Sequence, residues 1–207
     1  MASLMTRKFH DDRVSRAPQQ ERGRKRQEAI IDATAALIAE GGVDSVTMQA
    51  VAQRASSSVG SMYHFFRNRE QLLDELAQRH ADALEDIFKQ CDGISKERWR
   101  SMPAEEMIQA LFGQPLHYFA RHPDALITLR FHDQEGPDRF QLLLTDVMGA
   151  RIGSMRGKKV AEVLYALASG TLLFAKDRKH LNAQYILKTI PSALLAYVES
   201  IETQTSG

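Results

Sequence analysis

A chain of 207 residues with 27 Lys/Arg, 26 Asp/Glu and 43% hydrophobic residues has an ordinary globular composition and enough length to bury a core without staples. Its one cysteine, Cys91, excludes an intrachain disulfide framework and a cysteine-built zinc site. No apolar run reaches the roughly 18 residues of a transmembrane helix. The opening MASLMTRKFHDDRVSR has no apolar h-region, so the expected location is the cytoplasm.

The net charge of +1 hides an asymmetry. Residues 1–70 hold 11 Lys/Arg against 8 Asp/Glu, whereas residues 71–207 hold 16 against 18. The densest basic run is Arg22-Gly23-Arg24-Lys25-Arg26. Such a run is more often a solvated helix entry than a basic arm for nucleic acid, and alone it does not decide between them.

Residues 1–20 show no helical or strand period and are expected to form a disordered leader. Beyond them every segment reads helical. Ile30, Ala33, Thr34, Leu37 and Ile38 recur at helix spacing until Gly41-Gly42 stops the run. Thr47 is placed to cap a short second helix through Ala55, with Val51 and Ala52 facing inward. Ser56-Ser57-Ser58 forms a turn cluster, and a third short helix carries Val59, Met62 and Tyr63. A fourth helix is expected from about Asn68 to Gln90. Pro103 suits the first turn of the next helix, and Pro115 should kink or split it. Pro123 opens a further segment, Gly136-Pro137 closes it, and a helix follows near 138–152. Gly157 precedes an apolar stretch over 158–176, and a last helix spans 182–202 around Pro191. No stretch alternates as a strand does, so the fold class is all-α.

Three short helices with a tight turn between the second and third fit a helix-turn-helix, whose third helix enters the DNA major groove. The face that must approach base edges carries Ser57, Ser58, Val59, Ser61 and His64. Residues 26–76 also resemble the DNA-binding domain of the TetR family of transcriptional regulators. Gly42, Thr47, Met48, Val51 and Ala52 stand at the family's places in the first two helices. The family's Ser-x-Gly-x-Leu-Tyr-x-Tyr-Phe-x-x-Lys-Glu-x-Leu stands here as Ser58, Gly60, Met62, Tyr63, Phe65, Phe66, Arg69, Glu70 and Leu72.

That resemblance implies roles. Thr47 and Tyr63 would meet phosphate, His64 would sit near backbone or base edges, and Arg69 would supply a cation to phosphate in place of the family's Lys. Arg24 and Lys25 would extend the footprint. The chain departs from the family at its turn, where Ala-Gly-Val-Ser becomes Ala55-Ser56-Ser57-Ser58. Ser56 stands where glycine serves a strained backbone, and Ser57 replaces an apolar packing residue. This departure keeps open a second reading, a helical protein-interaction adaptor without DNA binding.

The resemblance further implies three segments: a leader (1–20), a helix-turn-helix domain (21–68) and a larger helical ligand-binding and dimerisation domain (69–207). It implies a homodimer, a double-stranded, pseudo-palindromic DNA operator, a small-molecule effector and the action of a repressor, with no membrane partner. Dimer-interface candidates are Val160, Val163, Leu164, Leu167 and Thr171 on one helix and Ile186, Ile190, Leu194 and Tyr197 on the next. Pocket candidates are Trp99, Met107, Phe112, His117, Tyr118, Phe131, His132, Met148 and Phe174. Met and aromatic residues suit an adaptable pocket as well as an ordinary core. No catalytic residue, metal site or cofactor is expected. The chain has no His-Glu-x-x-His, and Gly153-Ser154-Met155-Arg156-Gly157-Lys158 falls one residue short of a phosphate loop.

Overall fold

Side-chain caps punctuate the chain into helices. Thr47 Oγ1 accepts from the Ala50 N–H at 3.0 Å, Ser58 Oγ from Ser61 at 3.1 Å and Asn68 Oδ1 from Gln71 at 2.8 Å. Each satisfies a donor that the first helical turn leaves orphaned. The computed structural model describes residues 12–130, 137–175 and 182–204. In chain order the helices are α1 (Asp12–Gly41), α2 (Met48–Arg54), α3 (Val59–Met62), α4 (Arg69–Phe88) and α5 (Lys96–Ser101). They continue as α6 (Ala104–Arg121), α7 (Arg139–Ile152), α8 (Ser154–Ala175) and α9 (Ala183–Thr203), with a 3₁₀ segment, Pro123–Arg130, after α6. There is no strand among the described residues, and none of their helices is long and apolar enough to cross a membrane.

Two apolar cores share α4. The N-terminal core gathers Ile30, Val46, Val51, Met62, Phe66 and Leu72 from α1 to α4. The larger core gathers Leu84, Phe112, Met148, Leu164 and Leu194 from α4 to α9. Leu72, Leu73 and Leu76 of α4 thus pack in the first and Leu84 and Phe88 in the second, so α4 belongs to both cores. One residue of the 3₁₀ segment, Ile127, crosses into the N-terminal core at 2% exposure.

Several expectations change. Helix α1 begins at Asp12, inside the stretch 1–20 read as disordered. A stripe of apolar residues is only one source of helix stability. Ion pairs four residues apart, Lys25–Glu21 and Arg24–Glu28, support the polar turns of α1 instead. Helix α6 runs unbroken through Pro115, which is buried on its core face. A proline inside a helix costs about 3 kcal/mol, and the apolar packing of that face offsets it. Gly157 lies inside α8 rather than before it, because α7 and α8 cross closely there. A Cβ at Gly157 would stand 2.4 Å from the Gly149 nitrogen. The break between those helices is Gly153, at φ +87°.

Candidate nucleic-acid interface and ligand cavity

The turn between α2 and α3 keeps the path that the family uses glycine for. Ser56 N–H donates to Gln53 O at 3.2 Å, and Ser57 N–H donates to Ala52 O at 2.9 Å. These two bonds close α2 in a Schellman motif, and Ser56 takes the left-handed conformation at φ +50°. Ser57 is the position that packs back on the helix. Its Oγ is buried without a hydrogen-bond partner, so the hydroxyl turns inward instead of facing DNA as expected.

Beyond the turn, the nominated residues divide. Thr47, Ser58, Tyr63 and His64 are exposed at the ends of α2 and α3, with Tyr63 at 54%. The Thr47 and Ser58 hydroxyls serve as caps, which fixes the helix starts that point their N–H groups outward. Val59 packs against the N-terminal core, and Ser61 is half-buried. Arg69 is half-buried and bonded to backbone. Its Nε donates to Val46 O and its Nη2 to Val43 O, each at 2.7 Å, so it ties the start of α4 to the loop before α2. These bonds give Arg69 a positioning role at the base of the motif. Arg67, exposed just before α4, was missed and stands within the same motif. Arg24 and Lys25 lie on the exposed face of α1 in ion pairs, and such pairs are weak enough to exchange for phosphate.

Beside the larger core lies a cavity of about 610 Å³, open to solvent on one side and walled by α4, α6, α7, α8 and the 3₁₀ segment. Of the nominated pocket residues among the described ones, Phe112 alone lines it. Trp99, Met107 and Met148 are packed core residues, and Phe174 is 56% exposed. His117 is on the surface, its Nδ1–H donating to Gly113 O. Phe131 and His132 lie outside the described residues. The lining that was missed includes Asp74, Gln78, Ala81 and Glu85 of α4. Its signal in the sequence is a helix face on which Ala and polar residues interrupt the apolar stripe.

Tyr118 belongs to a buried polar cluster next to the cavity. His80 of α4 is 2% exposed, with Nε2 at 2.7 Å from Asp124 Oδ2 and Nδ1 at 2.7 Å from the Tyr118 hydroxyl. Burial opposes ionisation of Asp124, but the His80 hydrogen bond and charge outweigh it and hold the carboxyl below the usual aspartate range. Burial pushes the Tyr118 hydroxyl up, with Asp124 adding to the effect. The cluster joins α4, α6 and the 3₁₀ segment. His80 was also missed, although it occupies a core position in the stripe Leu73, Leu76, Leu84.

The dimer candidates divide as well. Val160, Leu164, Ile190 and Leu194 are buried in the chain's own core, and Ile186 and Tyr197 pack against it. Val163 and Leu167 face outward at 39% and 41% exposure, and Thr171 is half-buried. The outward stripe of α8 continues through Ala166, Gly170 and Phe174, and that of α9 runs through Tyr185, Ser192, Ala193 and Ala196.

Comparison with known proteins returns one family. Residues 30–76 match the bacterial regulatory proteins of the tetR family. The HTH-type transcriptional repressor KstR of Rhodococcus jostii (strain RHA1) is 36% identical over 113 residues, covering 55% of this chain. Because the match spans 48% of that repressor, the chain covers about half its length. A TetR-family transcriptional regulator from Streptomyces coelicolor superposes with a TM-score of 0.53 at 26% identity, over 86% of this chain and 97% of that one. A TetR-like regulator from Rhodococcus sp. RHA1 reaches 0.63 over 84% and 96%, and at 14% identity it speaks for the fold alone.

Proposed function

We propose that the chain, whose residues 30–76 match the bacterial regulatory proteins of the tetR family, is a homodimeric, sequence-specific DNA-binding repressor of that family. A small molecule seated in the α4–α8 cavity releases it from its operator. The observation that carries the DNA-binding half is the α2–α3 unit. Its helix starts are fixed by Thr47 and Ser58, its turn is intact despite three serines, and Tyr63 and His64 stand exposed beside it. The word repressor follows the printed name of the Rhodococcus jostii relative. The intact turn removes the motive for the adaptor reading.

The outward stripes of α8 and α9 support dimerisation. Their small residues allow close helix approach, and Val163, Leu167 and Phe174 supply apolar area. A dimer presents two α3 helices about 34–36 Å apart, one turn of DNA. Arg67, Tyr63 and the start of α2 then meet phosphates while His64 approaches base edges.

Release follows from shared walls. Helix α4 and the 3₁₀ segment both line the cavity, through residues such as Leu84 and Leu129. The same two elements are tied to each other by His80–Asp124, and both insert side chains into the N-terminal core. A ligand that spreads these walls tilts α4 and changes the spacing of the two α3 helices. Its effect on DNA affinity equals its preference for the spread state.

Selection of bound sequences from a random DNA pool, followed by titration of the winner at graded salt, tests this reading. An enriched pseudo-palindrome whose affinity falls steeply with salt is the expected result. Folded protein that enriches nothing at low salt refutes it and returns the adaptor reading.

A further inference from the structure

The surface that α3 offers to DNA has little reach. From Ser58 to His64 the chain reads Ser-Val-Gly-Ser-Met-Tyr-His, with no Arg, Lys, Asn, Gln or carboxylate. Those are the side chains that read base edges most strongly. Met62 is fully buried, and Val59 packs against the N-terminal core. The Ser58 hydroxyl already accepts from the Ser61 N–H. Exposed amides stand at Gln49 and Gln53, but these belong to α2, the helix that crosses the phosphate backbone. Tyr63 and His64 are left as the exposed side chains of this stretch long enough to extend beyond α3. The His64 ring is held by no hydrogen bond among the described residues.

Gly60 lies inside α3, exposed, one turn before Tyr63 and His64. Glycine within a helix weakens it relative to alanine. Nothing in the fold calls for glycine here: its φ is not positive, and a Cβ would meet no atom within 4 Å. What the missing Cβ provides is a notch on the outer surface, through which the α3 backbone can come close to the molecule it docks on. A backbone seated that deeply responds to groove width and to the ease of bending DNA. Both vary with sequence at base pairs that no side chain touches.

We propose that each subunit reads one base pair directly, a G·C pair whose guanine accepts from His64, while DNA shape sensed through the close approach at Gly60 carries the remaining specificity. Guanine is the base that presents two acceptors, N7 and O6, in the major groove, and the imidazole N–H is a donor. This rests on the DNA-binding reading above and names how that interface chooses its sequence.

Titration of the full chain on the DNA selected from the random pool, and on every single-pair variant of that DNA, provides the test. For the parent, replacing the guanine should weaken binding about tenfold. His64→Ala should shrink that penalty to about twofold or less and leave the penalties at the other pairs unchanged. Gly60→Ala should weaken binding to all of these sequences about tenfold, without singling out one pair. The same variant should raise the urea midpoint by about 0.2–0.5 M, whereas loss of a glycine that the fold needs would lower it. Penalties that ignore His64→Ala overturn the proposal. So does a Gly60→Ala chain that binds as tightly as the parent or unfolds at lower urea. In each of these cases a preferred sequence has still been selected, and the DNA-binding reading stands. A pool from which folded protein enriches nothing refutes that reading and this proposal together.

Discussion

Replacing Ser56 by glycine should stabilise the protein. Ser56 sits one residue beyond the α2 cap at φ +50°, a conformation in which an L side chain crowds the following carbonyl. The crowding costs about 1–2 kcal/mol, and glycine escapes it. Glycine also frees the unfolded chain, which offsets about 0.5–1 kcal/mol of the gain. The remainder is about 0.5–1 kcal/mol in favour of Ser56→Gly. With a urea slope of about 2 kcal/mol/M, the unfolding midpoint should rise by about 0.3–0.5 M at unchanged slope. Far-UV circular dichroism is the suitable probe, since Trp99 reports on the other core. Ser56→Ala is the control, because it keeps a Cβ and should give no gain, while Ser56→Asn should fall between the two. The Schellman hydrogen bonds use backbone groups alone, so operator affinity should stay within about threefold of the parent. A midpoint for Ser56→Gly at or below the parent refutes the reasoning, and so does an equal rise for Ser56→Ala.

The neighbouring hydroxyl gives a second test: Ser57→Ala removes a buried, unpartnered Oγ and should raise stability by about 1 kcal/mol, measured by the same urea titration. Asp124 titrates lower in the folded chain than in the unfolded one, so its ionised form contributes stability that is complete above the ordinary aspartate range and is lost as pH falls through the folded value. Asp124→Asn should therefore lower stability at neutral pH by about 1.5–3 kcal/mol and flatten the acid limb of a melting-temperature profile. A Gly157→Ala chain should lose about 1–3 kcal/mol or more, because the new methyl meets the α7 backbone rather than a movable side chain, and thermal melting reads the loss. Leu167→Glu puts a charge on the outward stripe of α8, and sedimentation should show monomer with operator affinity reduced at least tenfold. An unchanged dimer would move the interface elsewhere.

What was legible in the sequence follows from how local each feature is. Thr47, Ser58 and Asn68 act on backbone groups three residues away, so their spacing alone locates the starts of three helices. The strain at Ser56 is equally local, being a property of one φ angle. Arg69 is different. Its partners are carbonyls 23 and 26 residues earlier, and only folding brings them within reach of a side chain that reads as a surface cation. The dimer face fails for a related reason. Helix α8 is apolar on two adjacent sides, with Val160, Leu164, Ala168 and Leu172 on one and Val163, Leu167 and Phe174 on the next. Both recur at helical spacing, and periodicity cannot say which side the chain's own core takes. The cavity is the extreme case. It is an absence of atoms between five elements, and the residues richest in aromatic or sulfur surface are the ones most able to fill such a space. Trp99, Met107 and Met148 do so, which leaves the void to be lined by small and acidic residues of α4 on one side and by Phe112, Phe119, Phe140 and Tyr165 on the other.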